Sequence, residues 1–327
     1  MNKIEDLRNQ MSELSNEIAA LLHHRGRLAV EIIEEKTGDG RPVADLGRER
    51  EFSESYGDIW REILPVVRTR VGASIPRRCL SQEPAIKTSR PFAVIAGPCS
   101  IDEDFAGTLL GIKKHVDWIR CGIFKPRTVA STWQGGSTQD LVEVAALVHH
   151  YGKSFVTEIV DPDDIEDFRE AKVDCYQVGA RNGQNYELLR ALNQARVPVL
   201  LKRAPGATVE EWLGAASYLP DVPLTLCERG VKSFERSTRN MLDLAGAILA
   251  QRLSGLQVIV DPSHATGIAG LVPPLTCAAH AAGLDGAMIE VHANPEASRT
   301  DSAQQLDVET FAEMFATTGA AKTVSET

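Results

Sequence analysis

The sequence predicts an α/β protein: a (β/α)8 TIM barrel preceded by a small all-helical domain. Three observations predict it. Residues 91–327 hold eight short apolar or β-rich runs with helical stretches between them, the alternation of a parallel barrel. A residue able to do chemistry stands at or near the end of each run, where barrel enzymes build their sites. The first 72 residues instead carry a heptad spacing. A doubly wound sheet is the alternative, but no Gly-x-Gly-x-x-Gly opens any helix.

Composition narrows the function. A chain of 327 residues with 43% hydrophobic content suits two domains with a full-sized core. Its 45 acidic and 35 basic residues leave a net charge of −10, which argues against nucleic acid as a partner. A small anion remains open, because basic residues can gather at one site. The six cysteines show no Cys-x-x-Cys spacing; Cys121, Cys175, Cys227 and Cys277 lie in or beside apolar runs and read as reduced core thiols. Met1 to Asp6 opens a charged helix pattern rather than a signal peptide, and no apolar run approaches about 20 residues. A cytoplasmic protein with no membrane span is expected.

In residues 1–72, Ile4, Leu7, Met11, Leu14, Ile18 and Leu21 fall on one seam, continued by Leu28 and Ile32. One long helix packed against others is expected. Arg25 occupies a seam position, where a cation needs a carboxylate or a bound anion. Arg8 and Lys36 flank the seam too far apart for one helix to bring both to a small ligand. An antiparallel helix from a second subunit brings them together. Solvated flanks with a register-setting Arg25 fit the spacing equally well. The helix should stop near Gly38-Asp39-Gly40, before Pro42, and a second polar helical stretch starts at Asp45. Residues 73–90 are punctuated by Pro76, Pro84 and Ser89-Arg90-Pro91 and read as a linker.

The strand expectations in residues 91–327 are 92–96, 118–124, 154–160, 175–179, 198–202, 223–227, 257–261 and 286–291. Helical stretches between them include 138–150, 163–170, 184–194, 208–218, 236–252 and 271–282. Cys99, Lys125, Glu158, Arg181, Lys202, Arg229, His264 and Glu290 then follow the run ends in order. They divide into two groups. Arg120, Lys125, Arg127, Arg181, Lys202, Arg203 and Arg229 are cations suited to phosphates, unless they are spent on ion pairs with Glu158, Glu228 and other rim acids. Cys99, His264, Glu290 and Asp301 form a mixed S/N/O set for one divalent metal. On spacing alone, a buried thiol, a hydrogen-bonded strand-end histidine and two solvated acids fit as well. Strict alternation places Arg120 and Lys125 on opposite strand faces unless a bulge intervenes.

Two resemblances sharpen this. Leu7-Arg8, Leu21-Leu22-x-x-Arg25, Leu28-Ala29-x-Glu31-Ile32, Lys36 and Asp45-x-x-Arg48-Glu49 resemble the all-helical chorismate mutases. That resemblance implies a site for chorismate or prephenate built from Arg8 of a partner chain, Arg25, Lys36, Arg48 and Glu49. The stretch after Glu51 is shorter than in that family, and Pro65 interrupts the next helix, so a regulatory or weakly active domain is expected. In the second segment, Gly97-Pro98-Cys99-Ser100, Phe124-Lys125-Pro126-Arg127-Thr128 and Gln177-Val178-Gly179-Ala180-Arg181-Asn182 resemble the type I-beta 3-deoxy-D-arabino-heptulosonate 7-phosphate (DAHP) synthases. So do Leu200-Leu201-Lys202-Arg203, Leu226-Cys227-Glu228-Arg229-Gly230, Thr238-Arg239-Asn240, Asp261-Pro262-Ser263-His264, Glu290-Val291-His292 and Asp301-Ser302-Ala303-Gln304-Gln305. Some of those enzymes carry a mutase domain in front. Lys125-Pro126-Arg127-Thr128 favours them over the related octulosonate 8-phosphate synthases.

The second resemblance implies condensation of phosphoenolpyruvate with erythrose 4-phosphate, the entry to the shikimate pathway and aromatic amino acid biosynthesis. Cys99, His264, Glu290 and Asp301 would hold a divalent Mn, Co, Fe or Zn ion. Arg120, Lys125, Ala180-Arg181, Lys202 and Arg229 would hold phosphoenolpyruvate, and Pro126, Arg127 and Thr128 the aldose phosphate. Lys125, Cys99 and His264 are the expected catalytic groups. A homodimer or homotetramer is expected. Val129-Ala130-Ser131-Thr132-Trp133 replaces the family's usual stretch after Thr128, and Pro205 follows Lys202-Arg203. A paralogue using another aldose phosphate, or a non-catalytic regulatory partner, are the competing readings.

Overall fold

In the computed structural model, the described residues are 83–126 and 131–318, together with Lys3, Gln10, Leu21, His24 and Leu28, which are helical. Leu21 and Leu28, two positions of the heptad seam, are exposed. Arg8, Arg25, Lys36, Arg48 and Glu49 lie outside the described residues, as do Arg127 and Thr128.

Eight parallel strands close into a barrel in sequence order. They are β1 (Ala93–Gly97), β2 (Trp118–Arg120), β3 (Ser154–Ile159), β4 (Cys175–Val178), β5 (Val199–Lys202), β6 (Leu224–Glu228), β7 (Gln257–Val260) and β8 (Gly286–Glu290). The order of the eight expected runs is therefore the order of the strands. Around them run α1 (Phe105–Ile112), α2 (Thr138–His150), α3 (Ile165–Glu170), α4 (Tyr186–Ala195), α5 (Val209–Ala216), α6 (Leu244–Ser254), α7 (Pro262–Thr266), α8 (Val272–Ala281) and α9 (Val308–Thr318). Ser137 with Asp140, and Thr208 with Glu211, form capping boxes that start α2 and α5.

The barrel interior is filled by Ala93, Ile95, Trp118, Val156, Cys175, Leu200, Cys227, Ile259 and Met288, as a packed barrel core requires. Ala85 and Ile86 join the same cluster. Their backbone N–H groups donate to Thr225 Oγ1 at 3.1 and 3.2 Å, and Gln257 Nε2 donates to the Ile86 carbonyl at 3.1 Å. Residues 83–90, expected in the linker, thus close the N-terminal mouth of the barrel. Their proline and serine punctuation hides this, because a plug needs two apolar side chains rather than a period.

Other departures from expectation are local. Helices α1, α7 and α9 were not among the stretches named; in α1, Gly107 and Gly111 dilute the pattern. A Cβ at Gly111 would lie 2.5 Å from Val308 Cγ1 of α9, so the glycine lets the two helices approach. Strand β2 stops at Arg120 rather than 124. The chain doubles back there, with Lys125 N–H donating to the Gln134 carbonyl (3.0 Å) and Gly136 N–H to that of Ile123 (2.8 Å). Helix α6 begins at Leu244 rather than 236, because Val231 and Met241 pair in both directions at 2.9 Å and set residues 229–243 apart as a loop. Cys277, read as a core thiol, is exposed on α8, whereas Cys99, Cys121, Cys175 and Cys227 are buried. Among the described residues, no helix is long and apolar enough to cross a membrane.

Candidate active site

The site forms at the C-terminal rim, and strand register assembles it. Gly97 of β1 pairs with Glu290 of β8, which sets Cys99, two residues on, beside Glu290. Gly97 has φ +147, and a Cβ there would meet the Arg120 carbonyl oxygen at 1.9 Å. Only glycine lets the chain turn so close to β2.

Cys99, His264, Glu290 and Asp301 converge, with their ligand atoms all within 4.8 Å of one another. Cys99 Sγ lies 3.1 Å from Asp301 Oδ2 and 3.0 Å from Lys125 Nζ. Burial, then the Glu290 charge, pushes the Cys99 thiol up to about 12. His264 stands on the short helix α7. Its Nδ1 is 2.8 Å from Asp261 Oδ2. Asp261 is fully buried, and burial opposes its ionisation, but His264 and Lys202 hold it well below the usual carboxylate range. An ionised carboxylate only accepts, so Nδ1 carries a proton; burial lowers the ring's pKa, and in the neutral ring Nε2, 3.4 Å from Glu290 Oε1, keeps its lone pair.

Glu290 ends β8 fully buried. It accepts from Arg120 Nη1 at 2.5 Å and from Gln304 Nε2 at 2.5 Å, while its own N–H donates to Ser263 Oγ at 3.0 Å. Asp301 sits in left-handed backbone (φ +54), a strained state for a residue other than glycine. Neighbouring bonds hold it there. Ser100 and Thr300 share a hydroxyl hydrogen bond of 2.8 Å, and Gln305 bridges the Cys99 N–H and the Thr300 carbonyl. His292 donates from Nε2 to Asp102 at 2.7 Å while its Nδ1 accepts from Asn294 N–H, which ties the loop after β8 to the loop after β1.

The donor set fits a divalent metal. It offers one sulfur, one nitrogen and two carboxylates. The imidazole is oriented by a carboxylate behind it, as metal-ligating histidines are. The buried thiol lies beside two carboxylates, with Lys125 Nζ the cation already against it at 3.0 Å, and a bound divalent ion would favour its thiolate form further.

Beside this cluster is a cavity of about 240 Å³, lined by Lys125, Pro126, Ala180, Arg181, Lys202 and Arg229 among others. Lys202 Nζ donates to Asp261 Oδ2 at 2.5 Å. One carboxylate oxygen therefore holds both the metal-cluster histidine and a cavity lysine. Arg229 is buried, and among the described residues it has no hydrogen-bonded or ion-paired partner. Arg120 and Lys125 both reach the site. Alternation does not apply to them, because β2 ends at Arg120 and the following turn carries Lys125 over the rim. Arg120 serves Glu290 rather than lining the cavity. Arg203, read as a rim cation, pairs with Glu228 at 3.0 Å and Asp243 at 2.9 Å instead.

Four contributors were not singled out from sequence as site residues: Asp261, Gln304, Arg239 and Gln177. Each lies in or beside a quoted motif, but each acts through another side chain or lines the wall, and spacing carries no sign of that. Gly179 is a further constraint, since a Cβ there would meet Glu158 Oε1 at 1.7 Å.

A closed βα barrel with a metal-competent cluster beside a cation-lined cavity on its C-terminal rim defines a class: barrel enzymes acting on anionic substrates. Residues 81–324 match the DAHP synthetase I family, and the chain belongs to that family. It is 40% identical over 233 residues to the phospho-2-dehydro-3-deoxyheptonate aldolase of Thermotoga maritima, covering 68% of each chain. The crystal structure of a Thermotoga maritima phospho-2-dehydro-3-deoxyheptonate aldolase (DAHP synthase) superposes with a TM-score of 0.66 at 38% identity, covering 69% of this chain and 67% of that one. A 2-dehydro-3-deoxyphosphooctonate aldolase of Cupriavidus necator is 28% identical over 257 residues, covering 69% of this chain and 88% of that protein.

Proposed function

We propose that this chain is a metal-dependent DAHP synthase that joins phosphoenolpyruvate to erythrose 4-phosphate. One observation carries the reading: Lys125, Arg181, Lys202 and Arg229 share a single cavity with His264 and Asp301 of the ligand cluster. In the reaction, C3 of phosphoenolpyruvate bonds to the aldehyde carbon, water adds at C2, and the phosphate leaves with its bridging oxygen. Three carbons plus four give the seven of the product.

Lys202, Arg181 and Arg229 would hold the phosphate and carboxylate of phosphoenolpyruvate, because each offers fixed donors to an anion. Buried Arg229 gains most from such a partner, since it otherwise sits as a poorly compensated charge. Lys125, 3.0 Å from Cys99 Sγ and also on the cavity wall, is suited to orient the aldehyde or move its proton. Cys99, His264, Glu290 and Asp301 would hold the divalent metal, which when bound supplies Lewis-acid polarisation of the aldehyde oxygen. Pro126, Arg127 and Thr128 would contact the aldose phosphate.

A second reading is favoured by the octonate aldolase relatives: an eight-carbon product needs a five-carbon aldose phosphate. Phosphate release, followed with each aldose phosphate and with or without chelator, separates the two. Chelator-sensitive release with the four-carbon sugar supports the first reading; release only with the five-carbon sugar supports the second. No metal-dependent release with either overturns both. For residues 1–72 we propose a regulatory or weakly active chorismate-mutase-like domain in a homodimer or homotetramer. Chorismate turnover at the rate of a dedicated mutase would contradict it.

A further inference from the structure

We propose that Arg239 is a positioning residue that orients two ligand carboxylates at once, Asp301 directly and Glu290 through Gln304. The inference rests on the proposed metal reading of the cluster.

Arg239 lies on the loop between β6 and α6, which is built rather than loose. Gly230, at φ +93, opens it with an N–H donated to Glu228 Oε1 at 2.7 Å. The Val231–Met241 pairing closes its base. The Arg239 N–H donates to the Thr266 carbonyl at 2.9 Å and the Asn240 N–H to that of Ala265 at 2.7 Å. The backbone of Arg239 is thus docked on α7, the helix that carries His264.

From that anchor the side chain crosses to the loop after β8. Its Nη1 donates to Gln304 Oε1 at 3.1 Å and to Asp301 Oδ1 at 3.4 Å. Each bond has a consequence at the cluster. Gln304 can face Glu290 with its amide nitrogen or its oxygen. With Oε1 taken by Arg239, the nitrogen faces Glu290 Oε2, 2.5 Å away. A flipped amide would set acceptor against acceptor. At Asp301, occupation of Oδ1 leaves Oδ2 beside Cys99 Sγ, 3.1 Å away. One guanidinium therefore holds a ligand carboxylate and, through one amide, the orientation of a donor to a second.

Arg239 also lines the cavity, so a plain substrate contact is the rival role. Metal affinity measured without substrate separates them. Mn2+ and Zn2+ affinities would be read by competition with a chromophoric chelator for the wild-type chain, Arg239→Ala, Arg239→Lys, Gln304→Met and the double variant Arg239→Ala/Gln304→Met. Thermal unfolding of the metal-free proteins reports whether each is folded. Arg239→Ala is expected to weaken metal binding about 10- to 100-fold, the usual effect of losing a group that orients a ligand. Arg239→Lys, which can reach one acceptor, should fall between. The double variant should bind less weakly than the product of the two single effects predicts. Wild-type affinity in Arg239→Ala, with only the KM for phosphoenolpyruvate or the aldose phosphate raised, overturns the proposal and leaves the metal reading standing. A wild-type chain that binds neither ion defeats the metal reading itself.

Discussion

Asp261 is the residue on which the two halves of the site meet. Its Oδ2 accepts from both His264 Nδ1 and Lys202 Nζ, and its Oδ1 accepts the His264 N–H at 2.9 Å. Both partners lose their fixed geometry if that oxygen is altered. In Asp261→Asn the amide nitrogen cannot accept from either, and the negative charge that balances Lys202 is gone. The expected outcome is metal affinity about 10- to 100-fold weaker and phosphate release slower by about a hundredfold or more. Chelator competition and phosphate assays on the same preparation check it. Affinity and turnover close to wild type would show that the two halves work independently. The residues of the cluster and most of those of the cavity wall were legible in the sequence because charge and nucleophilicity mark them. Asp261, Gln304 and Arg239 were not, because their effect lies in which atom of a neighbour they occupy.

At the scale of elements, α9 closes the barrel against the segment between α1 and β2. His115 lies there, stacked on Phe315 at 5.3 Å between ring centroids and edge-on to Phe311 at 6.2 Å. Its Nε2 is buried with no hydrogen-bond partner among the described residues. Burial, then Lys114 and Arg90, lowers its pKa below the ordinary imidazole value. The unfolded chain therefore takes up a proton first. The stability associated with neutral His115 is present above pH of about 6.5 and is lost as pH falls below it. His115→Phe keeps the aromatic packing and removes both the orphan nitrogen and the titration. It should raise stability by about 1 kcal/mol at pH 7, and by more at pH 5. Denaturant unfolding at the two pH values tests this; a variant that loses stability on acidification as steeply as wild type refutes it. Of the elements themselves, the eight strands were legible as apolar runs in the right order, seven of them within a residue or so of their observed bounds and the second four residues too long. Helix α1 was hidden by its glycines, and the loop before α6 by a helical-looking composition that two backbone hydrogen bonds override.

At the scale of the barrel, the floor lies before the first expected strand, in residues read as linker. Ile86 is fully buried within the interior cluster, its own N–H and that of Ala85 donate to Thr225 Oγ1, and its carbonyl accepts from Gln257 Nε2. Ile86→Ala should cost about 2–5 kcal/mol, as large-to-small core changes do, while leaving metal affinity per folded molecule unchanged. The two ends of a barrel serve stability and chemistry separately. Thermal unfolding and chelator competition measured together check both halves of that statement; a wild-type melting temperature would show that residues 83–90 merely lie against the barrel.

By itself, the sequence determined the class of this protein. Eight apolar runs bounded by turns can bury themselves only as a parallel sheet covered by helices, and a chemical residue at each run's end can meet the others only on one rim. It also determined the candidate chemistry, since a thiol, an imidazole, two carboxylates and several cations state their own capacities. Tertiary structure alone decided which cations face the cavity and which are spent elsewhere: Arg203 on Glu228 and Asp243, Arg120 on Glu290. It decided that Lys125 folds back over the rim, and that Asp261, Gln304 and Arg239 bond to His264, Glu290 and Asp301. The reason is physical. Periodicity records which face of an element is buried, whereas hydrogen-bond pairing between loops depends on distances that exist only once the barrel has closed.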